Sequence, residues 1–174
     1  MSRGVTVYSV SAHLSHAIGS RDESIKNRLR AEDPQQLAAA RQLVDGVTPS
    51  SDPATVIHAF EIICQTMGRL VPSNSLSPLP ADFLEIVDRE LAQRRLPFTV
   101  SQLIMGGGPL RLPWAADFPT VGHVEPGVVQ AAAQQLNAQP LTSENADIEA
   151  VVVDVGDWLE VAAPRGDMLV GFWY

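Results

Sequence analysis

Residues Met168 to Tyr174, MLVGFWY, form a short apolar run behind a turn signal at Pro164 to Asp167, and they read as a β-strand. Side chains alternate across a strand, so Phe172 and Tyr174 face one side and Trp173 the other. Either both faces are covered, or one presents aromatic surface to a partner. The other clear strand signal lies at the opposite end of the chain, in RGVTVYSVS, where Val5, Val7, Tyr8 and Val10 supply β-branched and aromatic residues. Between the two, the chain reads chiefly as helix.

The expected fold is therefore α+β, a small sheet pairing the N- and C-terminal strands and packed against several helices, in one domain spanning residues 1–174. Two strands alone are marginal in water, so helices must supply much of the stability, and an extended piece of the central segment is available to widen the sheet.

Helix starts are well marked. Ser11 is placed to cap AHLSHAI, which Gly19 ends, and Ser20 with Glu23 has the spacing of a capping box for a helix reaching Ala31. Asp33-Pro34 and Asp52-Pro53 each combine an N-cap acceptor with proline at the first helical position, where the missing N–H costs nothing. In the second of these helices Val56, Ile57, Phe60, Ile63, Cys64 and Met67 share a face, while His58, Glu61 and Gln65 lie opposite, with His58 and Glu61 expected as a surface pair. Arg69 to Pro80, RLVPSNSLSPLP, has too many prolines for a central strand and reads as a loop.

Phe83, Leu84, Val87 and Leu91 mark the next helix, on which Glu85 and Arg89 have i,i+4 spacing. Thr99 caps a short one, VSQLIM. Glu125-Pro126 opens a helix ending near Asn137. Ser143 or Asn145 starts the last, in which Ile148, Val151, Val152, Val155, Trp158, Leu159 and Ala162 form one arc, and Asp154, Asp157 and Glu160 point away from it.

The segment from Leu103 to Val124, LIMGGGPLRLPWAADFPTVGHV, cannot be regular structure throughout, with three successive glycines and three prolines. It matches neither a P-loop nor a dinucleotide fingerprint, because GGGPLRLP follows a predicted helix and lacks the lysine and spacing those motifs need. Gly106 to Gly108 more simply end the helix and permit close backbone approach. If this segment lines a pocket, its ligand-binding residues are Arg111, Trp114, Asp117 and His123. Arginine can grip a carboxylate with two hydrogen bonds, tryptophan can wall a site, and aspartate with histidine can exchange protons. The competing reading makes Trp114 a core plug, Arg111 an ion-pair partner of an acidic helix and His123 a helix-entry residue.

Other constellations are weaker. His13 and His16 are three apart and could share a metal with His58 or His123, but no motif or local carboxylate cluster supports it, so no metal and no cofactor is expected. Cys64 lies within an apolar stripe and reads as a small buried hydrophobe. No G-x-S-x-G singles out a serine.

Twelve basic against twenty acidic residues give a formal charge of −8, which argues against nucleic acid as a partner, since phosphate binding depends on Lys and Arg. Lys26, Arg28 and Arg30 are interleaved with Asp22, Glu23 and Glu32, as on a solvated helix face. The opening residues lack the apolar run of a signal peptide, and nowhere is there a span of about 18 uncharged apolar residues, so a soluble cytoplasmic protein without a membrane partner is expected. The single cysteine fits a reducing compartment.

With RGVTVYSVSAHL as opening strand, VIHAFEIICQTMG as middle helix and GHVEPGVVQAAAQQL leading to a late helix and a terminal strand, the chain resembles the YfbM-like group and related bacterial families of domains of unknown function. The resemblance implies a compact α+β bacterial domain with no assigned chemistry. The leading functional expectation is a noncatalytic protein-interaction or binding module, contacting a protein partner or a second copy through the central loop or the aromatic strand. The alternative is a small-molecule ligand-binding protein or enzyme with its site at 103–124. An immunity-type protein that blocks its partner with an acidic surface is a third possibility, from net charge and size.

Overall fold

The computed structural model describes residues 4–49, 52–78, 80–112, 115, 117–138 and 145–174. At its centre is β4 (Asp167–Trp173), buried along its whole length. It pairs antiparallel with β1 (Val5–Ser11) on one side and with β3 (Thr120–Val124) on the other, while β2 (Arg69–Val71) lies outside β1. The sheet order is β2-β1-β4-β3. The expected pairing of the two end strands is present, and β3 is the extended piece contributed by the central segment.

Among the described residues eight helices surround the sheet: α1 (Leu14–Ala17), α2 (Glu23–Arg28), α3 (Pro34–Val44), α4 (Pro53–Met67), α5 (Ala81–Gln93), α6 (Val100–Met105), α7 (Pro126–Ala138) and α8 (Ala146–Ala162). Strand alternation divides the apolar residues between two cores. Val5, Val7, Val124, Leu169 and Trp173 meet α5, α6, α7 and α8 on one face. Tyr8, Val10, Val121, Met168, Val170 and Phe172 meet α1, α3 and α4 on the other. The aromatic strand is thus covered on both faces and offers no docking surface, which removes one of the two expected contact sites.

Two strand glycines set the closeness of one layer. Gly122 and Gly171 are directly opposite each other in β3 and β4. A Cβ on Gly171 would lie 2.7 Å from the Leu103 carbonyl oxygen, and one on Gly122 would lie 2.6 Å from the same atom. The last turn of α6 therefore rests its backbone directly on the sheet, an approach that a side chain at either position would block.

The Pro- and Ser-rich stretch read as loop holds β2 and a 3-10 turn at Asn74–Leu76. Three residues on a sheet edge are too short to show alternation in sequence. Beyond β2, serines replace the missing strand: Ser73 Oγ donates to the Val5 carbonyl at 2.7 Å, and the Val5 amide donates to Ser77 Oγ at 3.2 Å. Ser75 donates through both its amide and its hydroxyl to Asp154, so Asp154 is half-buried and bonded rather than turned to water as expected. The buried Trp158 indole donates to the Pro72 carbonyl.

Local starts also differ from expectation in two places. Asp22, not Ser20, caps α2, accepting from the Ser24 amide at 2.7 Å, because a carboxylate outcompetes a hydroxyl for an orphan N–H. Ser11 accepts from the His13 amide and leaves α1 without a side-chain cap. Asp33, Asp52, Thr99 and Asn145 cap their helices as read; Ser143 lies outside the described residues. The ion pair on α5 is Glu90 with Arg94, at 2.7 Å, rather than Glu85 with Arg89.

Candidate functional site

The central segment leaves α6 at Gly106, turns at Gly107, whose φ of +88° suits glycine, and returns along β3, the Gly107 amide donating to the Val121 carbonyl at 3.0 Å. Leu110, Leu112 and Ala115 lean against the core shared with α3 and α4, and Phe118 meets Trp173 edge-on at 4.6 Å between ring centres. Apolar anchors thus tie the segment to the fold. Arg111 and Asp117 are exposed between these anchors, and Trp114 lies outside the described residues.

His123 projects from β3 and is engaged at both ring nitrogens. Nδ1 is 2.8 Å from the Gly107 carbonyl and Nε2 is 3.0 Å from a Glu125 carboxylate oxygen. Both partners only accept, so each contact is a hydrogen bond when the ring nitrogen facing it carries the proton. The ring therefore ties the glycine turn to the entry of α7. No hydrogen bond or ion pair among the described residues joins any two of Arg111, Asp117 and His123.

A different cluster is assembled where sequence reading saw only a surface pair. Glu61 of α4 accepts from the Tyr8 hydroxyl at 3.1 Å and from the Tyr174 hydroxyl. His58, one turn earlier, stacks on Tyr174 with ring centres 5.5 Å apart and planes 13° from parallel, so it pairs with the tyrosine rather than with Glu61. Burial, and then the Glu61 charge, push both tyrosine hydroxyls far above the usual phenol range. The same two causes push the buried Cys64 thiol well up, which keeps it a thiol and not a nucleophilic thiolate. The signal that could have revealed this cluster is an acidic residue one turn from a core stripe, near two strand tyrosines; its partners are 53 and 113 residues away.

A second polar cluster is buried at the other end of β4. Asp167, 3 % exposed, accepts from the fully buried Ser9 hydroxyl and from Arg165 Nε, each at 2.7 Å. Those two donors offset the desolvation of the carboxylate, so this too is a structural arrangement.

Open surface features lie elsewhere. A cleft of about 440 Å³ is bounded by the 3-10 turn, α5 and the start of α8. A groove of about 390 Å³ runs between α7 and α8, and a smaller hollow of about 230 Å³ continues it past Leu136 and Gly156. Neither feature includes Arg111, Asp117 or His123 among its described walls. No group of three or more His, Cys, Asp or Glu among the described residues is arranged for a metal, and His13 and His16 stack on each other at 5.3 Å. No helix among the described residues is long and apolar enough to cross a membrane.

These features define an α+β domain whose central sheet is covered on both faces and which has a cleft and a groove beside α8, the longest of its described helices. A family model described as a domain of unknown function (DUF7691) matches residues 1–174, and the chain belongs to that family. No curated protein and no solved structure matches it.

Proposed function

We propose that the chain is a noncatalytic protein-interaction module that docks a basic amphipathic helix in the groove between α7 and α8. The observation that carries this reading is charge placement. In α7, PGVVQAAAQQLNA, there is no ionisable side chain over thirteen residues, and the facing flank of α8 exposes Val153 to 55 % beside Asp157 and Glu160. Surfaces that become interface cores are depleted in charge, and a rim whose described lining residues include acids and no bases favours a basic partner. An apolar groove between two helices is the shape that receives a third.

Gly156 tests the groove directly. A Cβ there would meet Leu136 at 3.5 Å, ordinary contact, so Gly156→Ala is expected to raise stability by about 0.5–1 kcal/mol through helix propensity. Gly156→Leu places its side chain in the groove. A synthetic amphipathic helix with leucines on one face and lysines beside them is expected to bind the native protein about tenfold tighter than its glutamate counterpart, and Gly156→Leu is expected to abolish that binding while remaining folded. Equal binding of both peptides, or unchanged binding to the leucine variant, would overturn the proposal.

A ligand-binding site at 103–124 is the second reading, supported by the exposure of Arg111 and Asp117, which carry no hydrogen bond or ion pair among the described residues. On either reading Arg111→Ala should leave unfolding within about 0.5 kcal/mol of native. His123→Ala, which removes two contacts, should cost about 1 kcal/mol in a urea titration. Equal losses in the two variants would make Arg111 structural. A relation to the YfbM-like group is also part of this proposal, supported by the order of opening strand, middle helix, central loop and final strand.

A further inference from the structure

We infer that the helix docked between α7 and α8 carries two apolar anchors one turn apart with a lysine or arginine beside them, and that Glu160 is the residue that selects it. This rests on the docking proposed above and specifies the partner's pattern. The groove consists of two hollows in a row. Along α8 and the turn that follows it, one hollow is lined by Val152, Gly156 and Glu160 and the other by Gly156, Glu160 and Pro164, so the second set is the first displaced by four residues. Four residues of helix rise about 6 Å, close to the pitch of about 5.4 Å of any α-helix laid along them. Side chains at i and i+4 of such a helix share one face, so they fill both hollows at once. The saddle between the hollows is low. Gly156 borders both and has no side chain, and Leu136 of α7, which also borders both, is half-buried. A partner backbone can therefore pass close over Gly156 with one anchor on either side.

Charge is placed on the same spot. Glu160 borders both hollows, whereas Asp157 borders the smaller alone. Glu160 is exposed and makes no hydrogen bond or ion pair among the described residues, so its charge is open to a partner. The nearest base in sequence, Arg165, is held by Asp167 at 2.7 Å, and residues 139–144, QPLTSE, carry one acid and no base. On a helix anchored at i and i+4, positions i+1 and i+3 flank the anchors on opposite sides. A long basic stem on the side turned to α8 reaches Glu160, while the side turned to α7 meets no ionisable group.

The probes are alanine-based helical peptides titrated calorimetrically into the full chain. Leucines at i and i+4 with lysines at i+1 and i+3 are expected to bind about tenfold tighter than a peptide of the same composition with leucines at i and i+7, which leaves one hollow empty. Glu160→Lys, at an exposed position, is expected to weaken the first peptide about tenfold and to favour its glutamate counterpart, and Asp157→Lys should weaken it less. Glu160→Gln keeps the shape and should level the lysine and glutamate peptides. Circular dichroism checks that each variant is folded. Equal binding at the two spacings, or a preference for lysine that survives in both Glu160 variants, would overturn the inference and leave the docking itself standing. No binding of any peptide to the native chain would overturn both.

Discussion

Gly171→Val is expected to destabilise the domain by about 3 kcal/mol or more, an overpacking loss at the upper end of the usual range. The reason is the direct seating of α6 on the sheet. A Cβ at this position would lie 2.7 Å from the Leu103 carbonyl oxygen and 2.9 Å from Leu103 Cγ, so backbone as well as side chain obstructs it. Relief requires lifting α6, and that helix carries Val100, Leu103 and Ile104, all fully buried. It also requires moving the Gly107 turn, which is tied to β3 through Val121 and His123. At roughly 2–4 °C per kcal/mol for a chain of this size, the melting transition should fall by about 10 °C, read by circular dichroism. Gly122→Ala should behave alike, because its Cβ would lie 2.6 Å from the same carbonyl oxygen. Gly127→Ala is the control: no heavy atom lies within 4 Å of its Cβ, so it should be neutral or slightly stabilising. A Gly171→Val transition within 1 °C of native would show that α6 can lift at no cost.

This glycine pair illustrates what can and cannot be read from the chain. Gly171 inside MLVGFWY and Gly122 inside TVGHV fit a bulge or a bend as well as a close backbone approach, and nothing in the sequence says that they face each other or that a helix rests on them. The stripe of α8 and the two long strands were legible because their apolar periods extend over several turns or alternations. β2 was not, since Arg69, Leu70 and Val71 stand among prolines and gain strand geometry only by pairing with Val7, Tyr8 and Ser9. The fate of Asp154 was hidden for a similar reason: its wheel position faces outward, yet tertiary structure brings Ser75 to it. Of the four residues singled out in the central segment, Trp114 lies outside the described residues, and no hydrogen bond or ion pair among the described residues joins Arg111, Asp117 and His123. His123 proves to be held by Gly107 and Glu125, contacts that depend on how the segment folds back on β3.

The second large effect is alkaline. At pH 10 and above the fold is expected to lose stability steeply, because three buried acids keep their protons in the folded state beyond the pH at which the unfolded chain releases them. Cys64 has an ordinary value of 9.0, and Tyr8 and Tyr174 of 10.0; burial and Glu61 raise all three in the fold. A raised folded value means that the native state binds more protons than the unfolded state once pH exceeds the ordinary value. Stability from these groups is therefore complete below about pH 9 and declines as pH rises, first through Cys64 and then through the tyrosines. Each group contributes about 1.4 kcal/mol per pH unit above its unfolded value, so the slope approaches about 4 kcal/mol per unit above pH 10. Against a total stability on the order of 5–15 kcal/mol, that slope should unfold the protein between about pH 11 and 13. Cys64→Ala should remove the shallow decline that starts near pH 9 and leave the tyrosine phase. Glu61→Gln keeps an acceptor but removes the charge, so the tyrosines should ionise closer to their ordinary range and the alkaline slope should set in less steeply, at some cost in stability at neutral pH. Tyrosinate absorbance and circular dichroism recorded together provide the check: the two signals should change in one cooperative step, whereas tyrosinate appearing in a still-folded protein would mean that Glu61 and burial do not hold the protons.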